Sequence, residues 1–250
     1  MKNIFNTFLF LLLVFLFSCS NDDGESIAME ELQNPTTSTN FIMPLGASRV
    51  QGLRPEFESY RYELWKLLVD TGANFDYIGT QEDEASYPIY NNRSFDIDHE
   101  GRGGWTSGQI LNEIASWIAQ TGVPDIVLFS SPAGNDALEG LPYDAALTNI
   151  NGTIDAIQAL NPNVTIIMEQ LAPARSDQMT PQLTNYFNNL QRDVVTIATA
   201  QSTANSNVLV VDMATGFTDA MLADDVHYNE AGAQFIANRY FEVLQGILME

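Results

Sequence analysis

Asn40-Phe41-Ile42-Met43-Pro44-Leu45-Gly46-Ala47-Ser48-Arg49 is an apolar run of strand length that stops at three small residues, the last of which carries a hydroxyl. In an α/β domain ligands bind outside the carboxyl ends of the strands, so a serine just past the first strand stands where chemistry is done. The same turn also reads as a plain strand-to-helix junction in which Ser48 merely caps the next segment. The rest of the chain decides between the two.

Downstream, the hydrophobic period switches repeatedly between helix and strand. Pro55 to Asp70 reads as a helix with Phe57, Tyr60, Leu64, Leu67 and Leu68 on one stripe, and Asn74 to Gly79 as a short strand. A second helix over Ser107 to Gln120 carries Ile110, Ile114, Trp117 and Ile118, and leads to the continuous apolar strand Asp125 to Ser130. The alternation repeats with a helix through Leu147, Ile150, Ile154 and Ile157, a strand from Val164 to Met168, and a helix through Leu183, Phe187, Leu190, Val194 and Ile197. It closes with a strand from Val208 to Met213 and a helix from Asn229 carrying Phe235, Ile236, Tyr240, Val243, Leu244 and Ile247. Five strands alternating with helices predict an α/β fold, a five-stranded parallel sheet with helices on both faces in three layers. The connection from residue 80 to 106 is long for a compact domain and holds Tyr87, Tyr90, His99 and Trp105, which marks it as part of a binding surface.

The first 39 residues read differently. Lys2 precedes the apolar run Phe8 to Phe17, the order of an export signal and too short for an ordinary membrane span. Leu16-Phe17-Ser18-Cys19 resembles the lipobox of bacterial lipoproteins, which makes Cys19, the single cysteine of the chain, the expected lipidation site. Residues 20–39 are polar and acidic, the composition of a flexible tether, and 40–250 form one domain. Acidic residues directly after Cys19 also resemble the surface-export signals of Bacteroidetes lipoproteins. The expectation is therefore a membrane partner through a lipid anchor, in a bacterial outer membrane and on its outer face. A formal charge of −22 argues against nucleic acid as a partner.

A serine nucleophile needs a base, and the chain has two histidines, His99 and His227. His227 comes after the last strand, at the same sheet edge as Ser48, and Asp224 precedes it at a spacing that lets a carboxylate reach the imidazole. Oxyanion donors are sought at the same edge: Gly103-Gly104 can present a backbone N–H, and Asn135 in Ala133-Gly134-Asn135-Asp136 an amide N–H₂. Gly46-Ala47-Ser48-Arg49-Val50 lacks the second glycine of an α/β-hydrolase nucleophile elbow. Asp96 to Gly101 opens like an EF-hand loop, yet its twelfth position is Ser107, so no metal site is expected there.

The ordered set resembles the SGNH (GDSL-type) hydrolase family over the whole of the expected domain. Ile42 to Ser48 is similar to the block with the serine, Gly104 to the second-block glycine, Asn135 to the third-block asparagine, and Asp224 with His227 to the final Asp-x-x-His. Tyr60 to Trp65, Phe75 to Gly79 and His99-Glu100-Gly101 resemble the carbohydrate-esterase branch related to acetylxylan esterases. The resemblance implies a flavodoxin-like sheet order and Ser48, Asp224 and His227 as catalytic residues. It also implies an oxyanion hole from Ser48, Gly104 and Asn135, and no cofactor. The implied substrate is an acylated, most simply acetylated, carbohydrate, with small acyl esters or lipids as the alternative. Tyr87, Tyr90, Trp105 and Tyr143 are the candidates for sugar stacking. Two positions depart from the family pattern: Ala47 stands where an aspartate is usual, and Ala133 where a glycine is. These departures keep open a glycan-binding protein on an inactive hydrolase scaffold.

Overall fold

The computed structural model describes residues 39–249. The expected export signal, Cys19 and all of the expected tether but Thr39 lie outside the described residues. The order of elements is β1 (Asn40–Gly46), α1 (Ser48–Gln51), α2 (Arg61–Thr71), β2 (Phe75–Tyr77), β3 (Gln81–Glu82), β4 (Asp98–Gly101), α3 (Ser107–Thr121), β5 (Ile126–Phe129) and α4 (Gly134–Leu138). Next come α5 (Tyr143–Leu160), β6 (Thr165–Gln170), α6 (Pro181–Gln201), β7 (Val208–Asp212), a 3₁₀ turn (Asp219–Met221) and α7 (Glu230–Leu248). Among these no helix is long and apolar enough to cross a membrane.

Strands β2, β1, β5, β6 and β7 lie in that order, all parallel, the five-stranded sheet expected. Successive residues of each strand serve opposite layers, as the period of two requires. Met43, Val127, Phe129, Ile166 and Met168 pack under α3, α5 and α6, while Ile42, Ile126, Leu128, Ile167 and Val211 pack under α2 and α7. Each such side chain contributes about 1.5–3 kcal/mol on full burial. That is why the strands read as unbroken apolar runs.

The sheet holds two strands more than expected. The 80–106 connection contains β3 and β4, paired antiparallel with each other, and β4 continues the edge of β1 beyond β2, with Leu45 opposite Glu100 and Gly46 opposite Gly101. Pro44 sits at the change of partner. The carbonyls of Ile42 and Gly46 accept from Ile78 and Arg102 on that flank, so the backbone nitrogen of Pro44 faces the same side, where β2 has ended and β4 has not begun. A proline lacks the N–H a continuous ladder would demand, so the break costs no hydrogen bond.

The first long helix also starts later than its stripe suggests, at Arg61 rather than Pro55. Residues 53–59 are held in a turn instead: Phe57 N–H donates to Leu53 O, Glu58 N–H to Tyr228 O (2.8 Å) and Ser59 Oγ to Val50 O (2.7 Å). This frees Phe57 from the helix and sends it toward Ser48.

Candidate active site

Ser48 is the first residue of α1, immediately past the carboxyl end of β1. The turn is tight because backbone runs close beneath it. A Cβ on Gly101 would run into the backbone of Val50 and Gln51, and one on Gly46 would lie 2.8 Å from Val50 and 2.9 Å from the Ser130 carbonyl. As the first residue of a helix Ser48 has no intrahelical acceptor for its N–H, which remains available for a ligand.

His227 reaches Ser48 from the loop after β7. Its Nε2 lies 2.9 Å from Ser48 Oγ and its Nδ1 2.7 Å from Asp224 Oδ2. Asp224 Oδ1 accepts the backbone N–H groups of Val226 (2.9 Å) and His227 (2.8 Å), so one carboxylate fixes both the loop and the ring. Burial raises the Asp224 pKa, but the hydrogen bonds from His227 and the two amides outweigh it and hold the carboxyl below its ordinary value. Asn229 then accepts from Gly232 N–H and starts α7, which stops the loop two residues past the imidazole. Phe57 stacks on the imidazole, centroids 3.9 Å apart and planes at 12°.

Arg49, next to the serine, is buried and ties three loops together. Its Nε donates to Val226 O (2.8 Å), Nη1 to Ala172 O (2.8 Å) and Nη2 to Pro173 O (3.2 Å), and its guanidinium stacks on Tyr228. Glu169, fully buried on β6, accepts from Ser130 Oγ (2.9 Å) and Ser131 N–H (2.7 Å) and so fixes the chain leaving β5. Burial raises its pKa against those hydrogen bonds and the nearby Arg49 charge. Neither residue has a role that a sequence motif marks. Their only signal is type: a charged residue in an apolar run must be paired when buried.

Gly104 and Asn135 face Ser48 from the next two strand ends. Gly104 adopts φ +76°, natural for glycine, and its N–H has no partner among the described residues. Asn135 donates from Nδ2 to Trp105 O (2.8 Å), and neighbouring Asp136, buried, accepts from Ser107 N–H and Oγ at 2.8 and 2.6 Å. The two turns are thus pinned to each other. Ala133 sits at φ +58°, which explains why a glycine is the easier residue there.

Two cavities meet at Ser48. The smaller, about 30 Å³, is lined mainly by Ala47, Leu138, Leu171, Ala174, Phe187 and Val226, together with Ser48 and Asn135. The larger, about 410 Å³ and open to solvent, is lined by His227, Phe57, Leu53, Gln51, Gly103 and Gly104, again with Ser48 and Asn135. Ala47 therefore contributes a small wall rather than a hydrogen bond.

The four aromatics expected to contact a sugar line neither cavity. Tyr87 packs on Tyr62 and Phe95 and donates to Asp83, and Tyr90 donates to Asp70 beside Trp65. Trp105 stacks with Trp117 and Arg102, and Tyr143 donates to Asp193 against Tyr186. Each covers the apolar flank of a helix, where burying a ring gains more than exposing it in a cleft. Phe57 and Leu53 supply apolar surface at the cleft instead. His99 is not a loop residue either: it is a buried member of β4. Among the described residues no group of three or more His, Cys, Asp or Glu is placed to hold a metal ion.

The sequence matches the GDSL-like Lipase/Acylhydrolase family over residues 72–235, a span that takes in Gly104, Asn135, Asp224 and His227 and begins after Ser48. No curated protein matches it significantly. Among solved structures it is similar to a family 3 carbohydrate esterase from Talaromyces cellulolyticus, at 27% identity and TM-score 0.72 over 84% of this chain and 99% of that one. A family 3 carbohydrate esterase from Clostridium thermocellum is 29% identical with TM-score 0.68 over 84% and 100%. A mutant acetyl esterase solved with acetate is 28% identical with TM-score 0.72 over 84% and 99%. With a serine hydroxyl, an imidazole and a carboxylate in one hydrogen-bonded line on the matching fold, the chain belongs to the GDSL-like lipase/acylhydrolase family and is an SGNH-type esterase.

Proposed function

We propose that the protein removes acetyl groups from carbohydrate by a Ser-His-Asp mechanism, with the line Asp224–His227–Ser48 as the observation that carries the reading. Ser48 Oγ attacks the ester carbonyl as His227 Nε2 takes its proton, and Asp224 holds Nδ1–H and stabilises the imidazolium. The backbone N–H groups of Ser48 and Gly104 and the Asn135 amide receive the developing oxyanion. His227 then returns the proton to the leaving alcohol, which must lie on the imidazole side. That assigns the open cavity with His227 to the sugar and the small apolar cavity to the acyl group.

The sizes favour acetate. On the measure by which a single water needs about 10–15 Å³, a cavity of about 30 Å³ takes a methyl but not an alkyl chain. This supports acetyl over the long acyl groups of lipids, in keeping with the acetyl esterase and the two family 3 carbohydrate esterases to which the chain is similar. A binding protein without activity has no use for an aligned base and orienting carboxylate. The export signal and Cys19 extend the proposal to a lipid-anchored protein of a bacterial outer membrane, which a palmitate label lost in Cys19→Ala checks.

Hydrolysis of 4-nitrophenyl acetate, butyrate and octanoate, with acetate release from acetylated xylan alongside, tests the reading. The expected result is acetate-selective turnover that Ser48→Ala abolishes. Equal rates in wild type and Ser48→Ala, or a preference for octanoate, would overturn it.

A further inference from the structure

The open cavity at Ser48 does not end at the sugar that carries the ester. Gln51, Gly52 and Leu53 form a shared wall, and on its far side lies another cavity of about 320 Å³, a volume in the range of small-molecule sites. It is polar, where the acyl cavity is apolar. Gln81, Glu82, Asp83, Glu84 and Arg54 supply amide, carboxylate and guanidinium groups, the planar donors and acceptors that match neighbouring hydroxyls.

One ring nitrogen there has no partner among the described residues. His99 is 2% exposed, and its Nδ1 accepts the N–H of Gly101 at 2.9 Å, which puts the ring proton on Nε2. That N–H has no acceptor among the described residues, and His99 lines this cavity. Burial, together with the Arg61 and Arg102 charges, lowers the His99 pKa to about 2, so the group is a fixed neutral donor. Nε2 is not sealed from solvent, so a ligand oxygen takes the place of a water there.

The wall is built before any ligand arrives. Asp83 accepts from the fully buried Arg61 (2.6 Å), from Tyr87 Oη (2.7 Å) and from Ala85 N–H (2.9 Å). Arg54 is held by Glu58 at 2.8 Å and stacks on Tyr87. Carboxylates outnumber the one guanidinium, which is itself paired, so the cavity suits an uncharged sugar and repels a uronate. Leu53, 56% exposed on the shared wall, offers an apolar face to a ring passing over it.

We propose that the cavity bounded by Gln51, Arg54, Gln81, Asp83, Glu84 and His99 is a second subsite, which takes a neutral sugar residue adjoining the one esterified at Ser48. The inference rests on the reading of Ser48 as the esterase nucleophile. It makes the substrate an oligosaccharide chain rather than a single acetylated sugar.

Binding and turnover are measured separately. Calorimetry with xylose, xylotetraose and tetragalacturonate is run on wild type and on Ala85→Trp, which fills the cavity from its half-buried rim. Xylotetraose is expected to bind at least about tenfold more tightly than xylose, the equivalent of about 1.4 kcal/mol, with the gain lost in Ala85→Trp and absent for tetragalacturonate. The chain's two histidines make ¹⁵N side-chain spectra simple, so a shift of His99 Nε2 with xylotetraose reads the same contact without any variant. An unmoved His99 signal, no gain with chain length, or a gain that survives Ala85→Trp overturns the subsite. Failure to hydrolyse 4-nitrophenyl acetate would overturn the esterase reading instead, and would leave the binding result standing.

Discussion

Arg49→Met removes a side chain that holds the serine turn, the loop after β6 and the histidine loop together. Two of its hydrogen bonds, to Val226 O and Ala172 O, are 2.8 Å long. Hydrogen bonds to charged groups contribute about 1.5–3 kcal/mol each, so their loss amounts to roughly 3–6 kcal/mol before the weaker contact to Pro173 O is counted. Methionine keeps the aliphatic stem but leaves three carbonyls facing a thioether. In a domain of this size each kcal/mol moves Tm by about 2–4 °C, so the expected fall is roughly 6–24 °C. The chemical consequence is local. Val226 precedes His227, and freeing its carbonyl lets the imidazole drift from the 2.9 Å contact with Ser48. Even a 1 Å misplacement can cost about a hundredfold in rate. Urea unfolding monitored by circular dichroism gives the stability, and 4-nitrophenyl acetate turnover well below the midpoint gives the activity. Arg49→Lys, which keeps the charge but not the fork, should fall between. A variant within about 1 kcal/mol of wild type, with turnover within about twofold, would refute the assignment of Arg49 as the tie between these loops.

Filling the acyl cavity should act on the acyl group. Ala47→Leu fills that apolar space and should lower acetate turnover by about tenfold or more, whereas unchanged turnover would show that the acyl group lies elsewhere. Asn135→Ala should cost about 10²–10³ in kcat with little change in KM, read from steady-state kinetics. Gly104→Ala forces a methyl-bearing residue into φ +76° and should lose about 1–2 kcal/mol or shift the turn, seen as lower stability and slower turnover. Asp96 and His99 set opposed pH slopes. Burial pushes Asp96 up to about 6, so from about pH 4 to 6 the folded chain holds the extra proton and stability falls as pH rises. His99, driven down to about 2 from an ordinary 6.5, leaves the unfolded chain holding more protons over the same window, so its contribution rises with pH. Asp96→Asn removes the first slope and should steepen the acid loss of stability between about pH 6 and 4 in urea titrations. A shallower dependence would contradict the assignment.

The parallel sheet was legible because its strands are covered on both faces, and Ile126 to Phe129 or Ile166 to Met168 have no alternative to an apolar run. Ser48, Gly104, Asn135, Asp224 and His227 were legible because one sheet edge gathers the loops that leave the strands, and the structure brings all five together. Strands β3 and β4 were not. Gln81-Glu82 and Asp98-His99-Glu100-Gly101 are polar, and their strand character comes from pairing with each other and with Leu45 and Gly46, a long-range contact that leaves no period in the chain. Phe57 fell on the helix stripe by its spacing, and a non-local bond from Glu58 to Tyr228 removed it. Tyr87, Tyr90, Trp105 and Tyr143 show the converse. Aromatics in a connection signal a ring that needs covering, and here helices provide the cover. Arg49 and Glu169 act through no motif, since the backbone groups they satisfy exist only in the assembled fold.

The central claim is that Ser48 is acylated during turnover. Wild-type protein mixed with 4-nitrophenyl acetate, acid-quenched within the first turnover and mapped by peptide mass spectrometry, tests it most directly. One acetyl group on the peptide containing Ser48, absent after complete turnover and absent in Ser48→Ala, is the result predicted. Acetate release with no adduct on Ser48, or an adduct on another residue that turns over at the same rate, would contradict it.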